Sequence, residues 1–323
     1  MIFSSNYSKM FILGFRGLNP DHDFINLIEK NPPAGFLLLG DNYDHPEQLK
    51  QLILDLKKIS GNQALFLIDQ EPGRVQRFKE GFPISKLPRE YVRSSGTGEF
   101  RIWCRETAEL MAQIGIKINL APMLDLCAFD RDYPVLNGRN FGDDPQVVSE
   151  YGTILIEEFR AYGILTCAKH FPGLGSGQID PHEALAISDE SVEQFQNYHW
   201  LPFKAAKSAK VDFFMTTHLL APNLDPQNSA TYSKTIVAHI RDTIGHKGPI
   251  ISDDLYMEGS GLKFDIENKV IDCINSGHTM LIISRDVAVQ SRAIEAVRNR
   301  CQNDDMFSTI VLENEKQIET IAG

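Results

Sequence analysis

Eight short runs of uninterrupted apolar residues constrain the fold of this chain more than any other feature. They are MFILGF (Met10–Phe15), AGFLLLG (Ala34–Gly40), ALFLID (Ala64–Asp69), IKINLAP (Ile116–Pro122), ILTCAKH (Ile164–His170), DFFMTTH (Asp212–His218), PIISDD (Pro249–Asp254) and TMLIIS (Thr279–Ser284). None shows the apolar–polar alternation of a strand with one wet face. Continuous runs of this length fit parallel strands covered on both sides. Longer amphipathic stretches separate them: Pro46–Ile59 and Pro145–Gly163 carry proline in the first turn. The second of these, with Phe100–Gly115 and Val270–Gly277, ends on a glycine, as helices of an α/β fold do. Eight strands with helices between them predict a (β/α)₈ TIM barrel. The alternative, an open doubly wound sheet, usually carries a Gly-rich phosphate loop after an early strand. GFRGLNP lacks the G-x-G-x-x-G spacing.

Composition narrows the function classes. At 323 residues, with no low-complexity linker or repeat, one domain over residues 1–323 is the simplest reading. A net charge of −11 argues against nucleic acid as the main partner, because phosphate binding needs clustered Lys and Arg. Five widely spaced cysteines (Cys104, Cys127, Cys167, Cys273, Cys301) form no CxxC pair and fit a reducing compartment. The start, MIFSSNYSKMFILGFRG, does not read as a signal peptide, and no run approaches the ~18 apolar residues of a membrane span. The expected location is therefore cytoplasmic, with no membrane partner.

In a barrel of this kind, functional side chains sit at the C-terminal ends of the strands. Strand three ends at Asp69, four near Asp125, five at Lys169–His170, six at His218 and seven at Ser252–Asp253–Asp254. Polar residues at one strand end are commonplace as caps. Ionisable groups at five consecutive ends point to a catalytic mouth.

The same segments carry a family likeness. IDQEPGRVQRF, INLAPMLDL, GRNFGDDP, AKHFPG with the following DPH, and ISDDLYMEG resemble, in order, the signatures of the family 3 glycoside hydrolases, specifically the single-domain bacterial β-N-acetylglucosaminidases (β-hexosaminidases). The similarity runs from about Phe11 to about Ser284. It implies a TIM barrel, exo-cleavage of terminal β-linked N-acetylglucosamine with retention of configuration, a saccharide substrate such as a cell-wall muropeptide, and no metal or organic cofactor. Carried over by position, it implies Asp253 as nucleophile, with Asp254 as the competing acid, and His182 as acid/base with Asp180 as its partner. It also implies Asp69, Arg77, Arg139, Lys169 and His170 as sugar-binding residues. Arg74 competes with Arg77 on spacing, and Asp125 and His218 read as supporting residues.

An imidazole has an unperturbed pKa near ~6.5 and is neutral after giving up its proton, so it suits acid/base work without repelling an incoming anion. The glycines of the intervening loop are expected to give it freedom to swing His182 over the leaving group. The family's loop usually reads GHGD, then Thr, then DSH. Here Leu174, Ser176, Gly177 and Pro181 replace His, Asp, Thr and Ser, and Pro72 stands upstream where the family usually has Gly. The rivals are a phosphorylase of the same family, which the imidazole also suits, a metal-dependent TIM-barrel hydrolase, and a non-catalytic sugar-binding barrel.

Overall fold

A computed structural model describes residues 7–61, 63–261 and 265–322. All eight apolar runs form strands, each shorter than its run except β5, which is as long as its run and shifted by one residue: β1 Phe11–Leu13, β2 Gly35–Leu38, β3 Leu65–Ile68, β4 Ile118–Asn119, β5 Leu165–Phe171, β6 Phe213–Thr216, β7 Ile250–Ile251 and β8 Leu281–Ile283. Every pairing from β1 round to β7 is parallel. Parallel pairing of β8 with β1 and a single parallel bridge, Ile251 with Met280, complete the ring. The barrel expectation holds, and the doubly wound alternative is set aside.

Helices follow the strands: α1 His22–Lys30, α2 Pro46–Ser60, α3 Gly96–Ile114, α4 Pro145–Ala161, α5 Leu201–Ser208, α6 Lys234–Ala238, α7 Ile266–Ser276, α8 Val287–Asn303 and α9 Asp305–Ala322. Their starts are set locally. Asp21 accepts the Phe24 N–H ahead of α1, and Asp144 accepts the Gln146 N–H ahead of α4, where Pro145 needs no partner for a missing N–H. The strand side chains are buried almost without exception, which explains why their sequences do not alternate. Aromatic residues seal the seam between sheet and helices: Phe171 stacks on Trp200 and meets Phe203 edge-on. All five cysteines are free and buried. Among the described residues, no helix is long and apolar enough to cross a membrane.

The helical coat contains one misplaced charge. On α9, Glu315 Oε1 is buried without a hydrogen-bond partner among the described residues. Burial, with Glu319 one turn further on, pushes its carboxyl up to about 7, against a small opposing pull from Lys9. A raised carboxyl favours the fold when protonated, so its contribution is complete below the unfolded pKa and is lost as pH rises through 7. Glu315→Gln is therefore expected to add about 1–2 kcal/mol at pH 8, discounted because the group is only half buried, and almost nothing near pH 4.5. Thermal melts of both proteins at the two pH values check this.

Candidate active site

The C-terminal ends of the strands open onto a cavity of about 480 Å³ lined by Asp69, Arg74, Arg77, Arg139, Lys169, His170, Asp180, His182, Asp253 and Asp254, among others. Every residue singled out from the sequence as catalytic or sugar-binding therefore lines one space.

The two acids after β7 differ in what holds them. β7 stops at Ile251, so no strand alternation separates their directions. Asp254 is spent on structure. One oxygen accepts the backbone N–H groups of Tyr256 and Ser284, the other takes the Ser284 hydroxyl, and the bonds to Ser284 tie the end of β7 to the end of β8. Burial pushes its carboxyl up despite these bonds. Among the described residues, Asp253 accepts only the Asp254 N–H, at 2.8 Å on Oδ1. Among the described residues, nothing hydrogen-bonds its other oxygen. Burial alone would raise Asp253; the imidazoles of His218 and His170, the Asp254 N–H and His182 outweigh it and hold the carboxyl below its usual range. Asp253 is therefore an ionised carboxylate with a free oxygen.

Histidines around it are oriented by their second nitrogens. His170 Nδ1 lies 2.6 Å from Asp125 Oδ2, which leaves Nε2 for the cavity. The other Asp125 oxygen accepts the Leu174 N–H, so this buried acid fixes both the imidazole and the start of the next loop. His218 is fully buried between Thr231 Oγ1 (2.8 Å) and the Asp254 carbonyl (3.0 Å), and burial lowers its pKa. Asp125 and His218, expected as supporting residues, are buried and hydrogen-bonded to the elements around the cavity.

His182 projects from the loop after β5 with its side chain 63% exposed, and its Nδ1 is 2.8 Å from Asp180 Oδ1. The loop does not have the looseness expected from its glycines. Arg131 donates to the Gly175 and Gly177 carbonyls, Tyr133 Oη to the Ile179 carbonyl at 3.0 Å, and Gly259 N to the Pro181 carbonyl at 2.8 Å. A Cβ on Gly175 would overlap the Leu126 carbonyl, and one on Gly259 the Pro181 carbonyl. These glycines serve close approach rather than freedom. Leu174, which stands where the family usually has His, is buried in a small apolar cluster with Tyr133, Val135 and Leu219. The loop is docked, with His182 already lining the cavity.

On the other side, Lys169 Nζ lies 2.6 Å from Asp69 Oδ1, and Arg77 faces the second Asp69 oxygen at 3.7 Å. Burial would raise Asp69, but Lys169 and Arg77 outweigh it. Arg74 also lines the cavity, but its guanidinium donates to the carbonyls of Asn137, Pro134 and Val135. Of the two arginines that spacing left open, Arg77 is the one that faces Asp69.

Sequence reasoning missed Glu71, which is 1% exposed and ion-paired to both Arg139 and Lys169. The signal was its place two residues after Asp69 in IDQEPG. Among the described residues, no group of three or more His, Cys, Asp or Glu is arranged to hold a metal ion.

Comparison with known proteins bears on the family and the fold. The model of the glycosyl hydrolase family 3 N-terminal domain matches residues 7–317. The beta-hexosaminidase of Idiomarina loihiensis is 30% identical over 266 residues, covering 81% of this chain and 79% of the relative. That of Nitrosomonas eutropha is 30% identical over 264 residues, covering 78% and 74%. Among solved structures, the β-N-acetylhexosaminidase of Beutenbergia cavernae superimposes with a TM-score of 0.87 at 22% identity, over 98% of this chain and 97% of that one. A family 3 β-N-acetylglucosaminidase from a Paenibacillus species gives 0.89 at 23%, over 100% and 64%. At such identities the superpositions speak for the barrel alone. With the family model matching almost the whole length and curated relatives at 30% identity over four-fifths of the chain, this protein belongs to glycosyl hydrolase family 3.

Proposed function

We propose that this family member is a retaining exo-β-N-acetylglucosaminidase. One observation carries the reading: an ionised carboxylate with a free oxygen and an Asp-paired imidazole line the same cavity. The names of the curated relatives and solved structures support the sugar class. In the first step, Asp253 attacks the anomeric carbon as the bond to the leaving oxygen breaks, and His182 gives that oxygen its Nε2 proton. In the second, water attacks the anomeric carbon, His182 takes its proton, and the bond to Asp253 breaks. Asp180 holds the imidazole by Nδ1 and so orients it. Asp69, Arg77, Arg139, Lys169 and His170 anchor the sugar. Cell-wall muropeptides handled in the cytoplasm are the proposed natural substrates.

The exposed imidazole also favours a second reading, phosphorolysis, because a neutral base does not repel phosphate. A panel of aryl glycosides assayed with and without phosphate tests both. Free N-acetylglucosamine of retained configuration, formed at a phosphate-independent rate, is expected. Sugar 1-phosphate as the main product favours the second reading, and no turnover of the β-N-acetylglucosaminide sinks both.

A further inference from the structure

Glu71 does not line the cavity, yet it organises two residues that do. Its Oε1 accepts Arg139 Nη2 at 2.7 Å and lies 2.6 Å from Lys169 Nζ, while its Oε2 accepts Arg139 Nε at 2.9 Å. Lys169 Nζ reaches Asp69 as well, at 2.6 Å. Two carboxylates and two cations are thus interleaved below the cavity, all but Asp69 less than a tenth exposed. Such a fork on Arg fixes the guanidinium plane as well as its place.

We propose that Glu71 is the positioning residue of the sugar subsite: it aims the remaining N–H groups of Lys169 and Arg139 into the cavity and, together with Asp69, offsets their charge. The subsite then offers donors to a neutral hydroxylated ring rather than a cation to an acid. This rests on the reading of the cavity as a sugar site. Donor arithmetic supports it. An ammonium has three N–H groups and a guanidinium five. Asp69 and Glu71 take two from Lys169. Glu71 and the Val135 carbonyl take three from Arg139. One ammonium N–H and two guanidinium N–H groups remain, each with a direction set by Glu71.

The electrostatics agree. Burial would raise the Glu71 carboxyl, but Arg139 and Lys169 outweigh it and hold it well below the carboxylate range. Burial would lower Lys169, but Asp69 and Glu71 outweigh it. The charged groups facing Lys169 are Asp69 and Glu71 from the segment after β3, with Arg77 behind Asp69, and Arg139 from the segment after β4. Cys167 on its own strand is a neutral thiol, raised by burial. Without Glu71, burial and Arg139 act against Asp69 alone, so Lys169 sheds its proton at lower pH.

Glu71→Gln in the full chain tests this, with Glu71→Asp as companion. Losing a charge-assisted contact on each cation is expected to raise KM for an aryl β-N-acetylglucosaminide by about 10- to 100-fold. Turnover stays within about threefold, because the contacts bind ground and transition states alike. The alkaline limb of kcat/KM moves down by about one pH unit or more. Inhibition by a uronate gains several-fold on inhibition by N-acetylglucosamine, since the subsite now carries net positive charge. Glu71→Asp keeps the charge a methylene short, so KM rises while the alkaline limb stays where the parent has it. A folded Glu71→Gln protein with unchanged KM and pH profile overturns the proposal, as does a lowered Tm with unaltered kinetics. Should Glu71→Gln not fold, parental KM in Glu71→Asp overturns it. Failure of the parent enzyme on every glycoside is a different result, and sinks the function itself.

Discussion

Asp253→Asn is expected to reduce kcat on an aryl β-N-acetylglucosaminide by about 10⁴-fold or more, with the fold intact. The argument is one of unspent bonding capacity. Among the described residues, Asp253 accepts a single hydrogen bond, from the Asp254 N–H, which an amide oxygen can still accept. What the amide lacks is the anionic oxygen that, in the proposed mechanism, bonds to the anomeric carbon. The neighbouring substitution should do the opposite. Asp254→Asn disturbs the contacts that fasten β7 to Ser284 and cap Tyr256, so stability falls by about 1–3 kcal/mol while the surviving folded enzyme still turns over. Single-turnover rates and thermal melts of the two variants separate the cases. A near-normal rate in Asp253→Asn beside a folded but dead Asp254→Asn would exchange the roles.

The second large effect belongs to His182 and depends on the leaving group. With an alkyl or sugar leaving group, which must be protonated as it departs, His182→Ala is expected to lose about 10²- to 10⁴-fold in kcat/KM. With a dinitrophenyl leaving group, which departs as an anion, the first step should change by less than about tenfold. The Asp180 contact makes this a test of the pair, because Asp180 Oδ1 accepts both the backbone N–H and Nδ1 of His182. Asp180→Ala should therefore follow the same leaving-group trend with smaller losses. Equal losses across the series would remove His182 from proton transfer.

The barrel was legible because parallel strands sheathed on both faces must be apolar throughout, and eight such runs leave few architectures. Strand lengths were not. Apolar residues continue past the hydrogen-bonded register into loops that are themselves buried, so the run Pro249–Asp254 yields only Ile250–Ile251 as strand. Asp69, Lys169, His170 and Asp253 were legible as types at strand ends, while Arg77, Arg139, Asp180 and His182 came only through the family likeness. Arg74 and Arg77 are equivalent by spacing, and coordinates were needed to see that Arg74 donates to backbone carbonyls while Arg77 faces the Asp69 carboxylate. Glu71 escaped because its partners are 68 and 98 residues away in sequence, and a lone acid in a turn-like segment carries no periodicity. The glycines of the Gly173–Gly177 loop misled for a physical reason. Glycine permits motion and intimate contact equally, and the letter alone does not say which.

The amide of Gly259, three residues before the undescribed segment 262–264 and six after Asp253, is fastened to the carbonyl beside His182. The proposed nucleophile and the proposed proton donor therefore sit on two connections joined by a direct strut. A chimaera that imports only one of the two from a homologue inherits a broken fastening, whereas transplanting the pair carries the alignment with it.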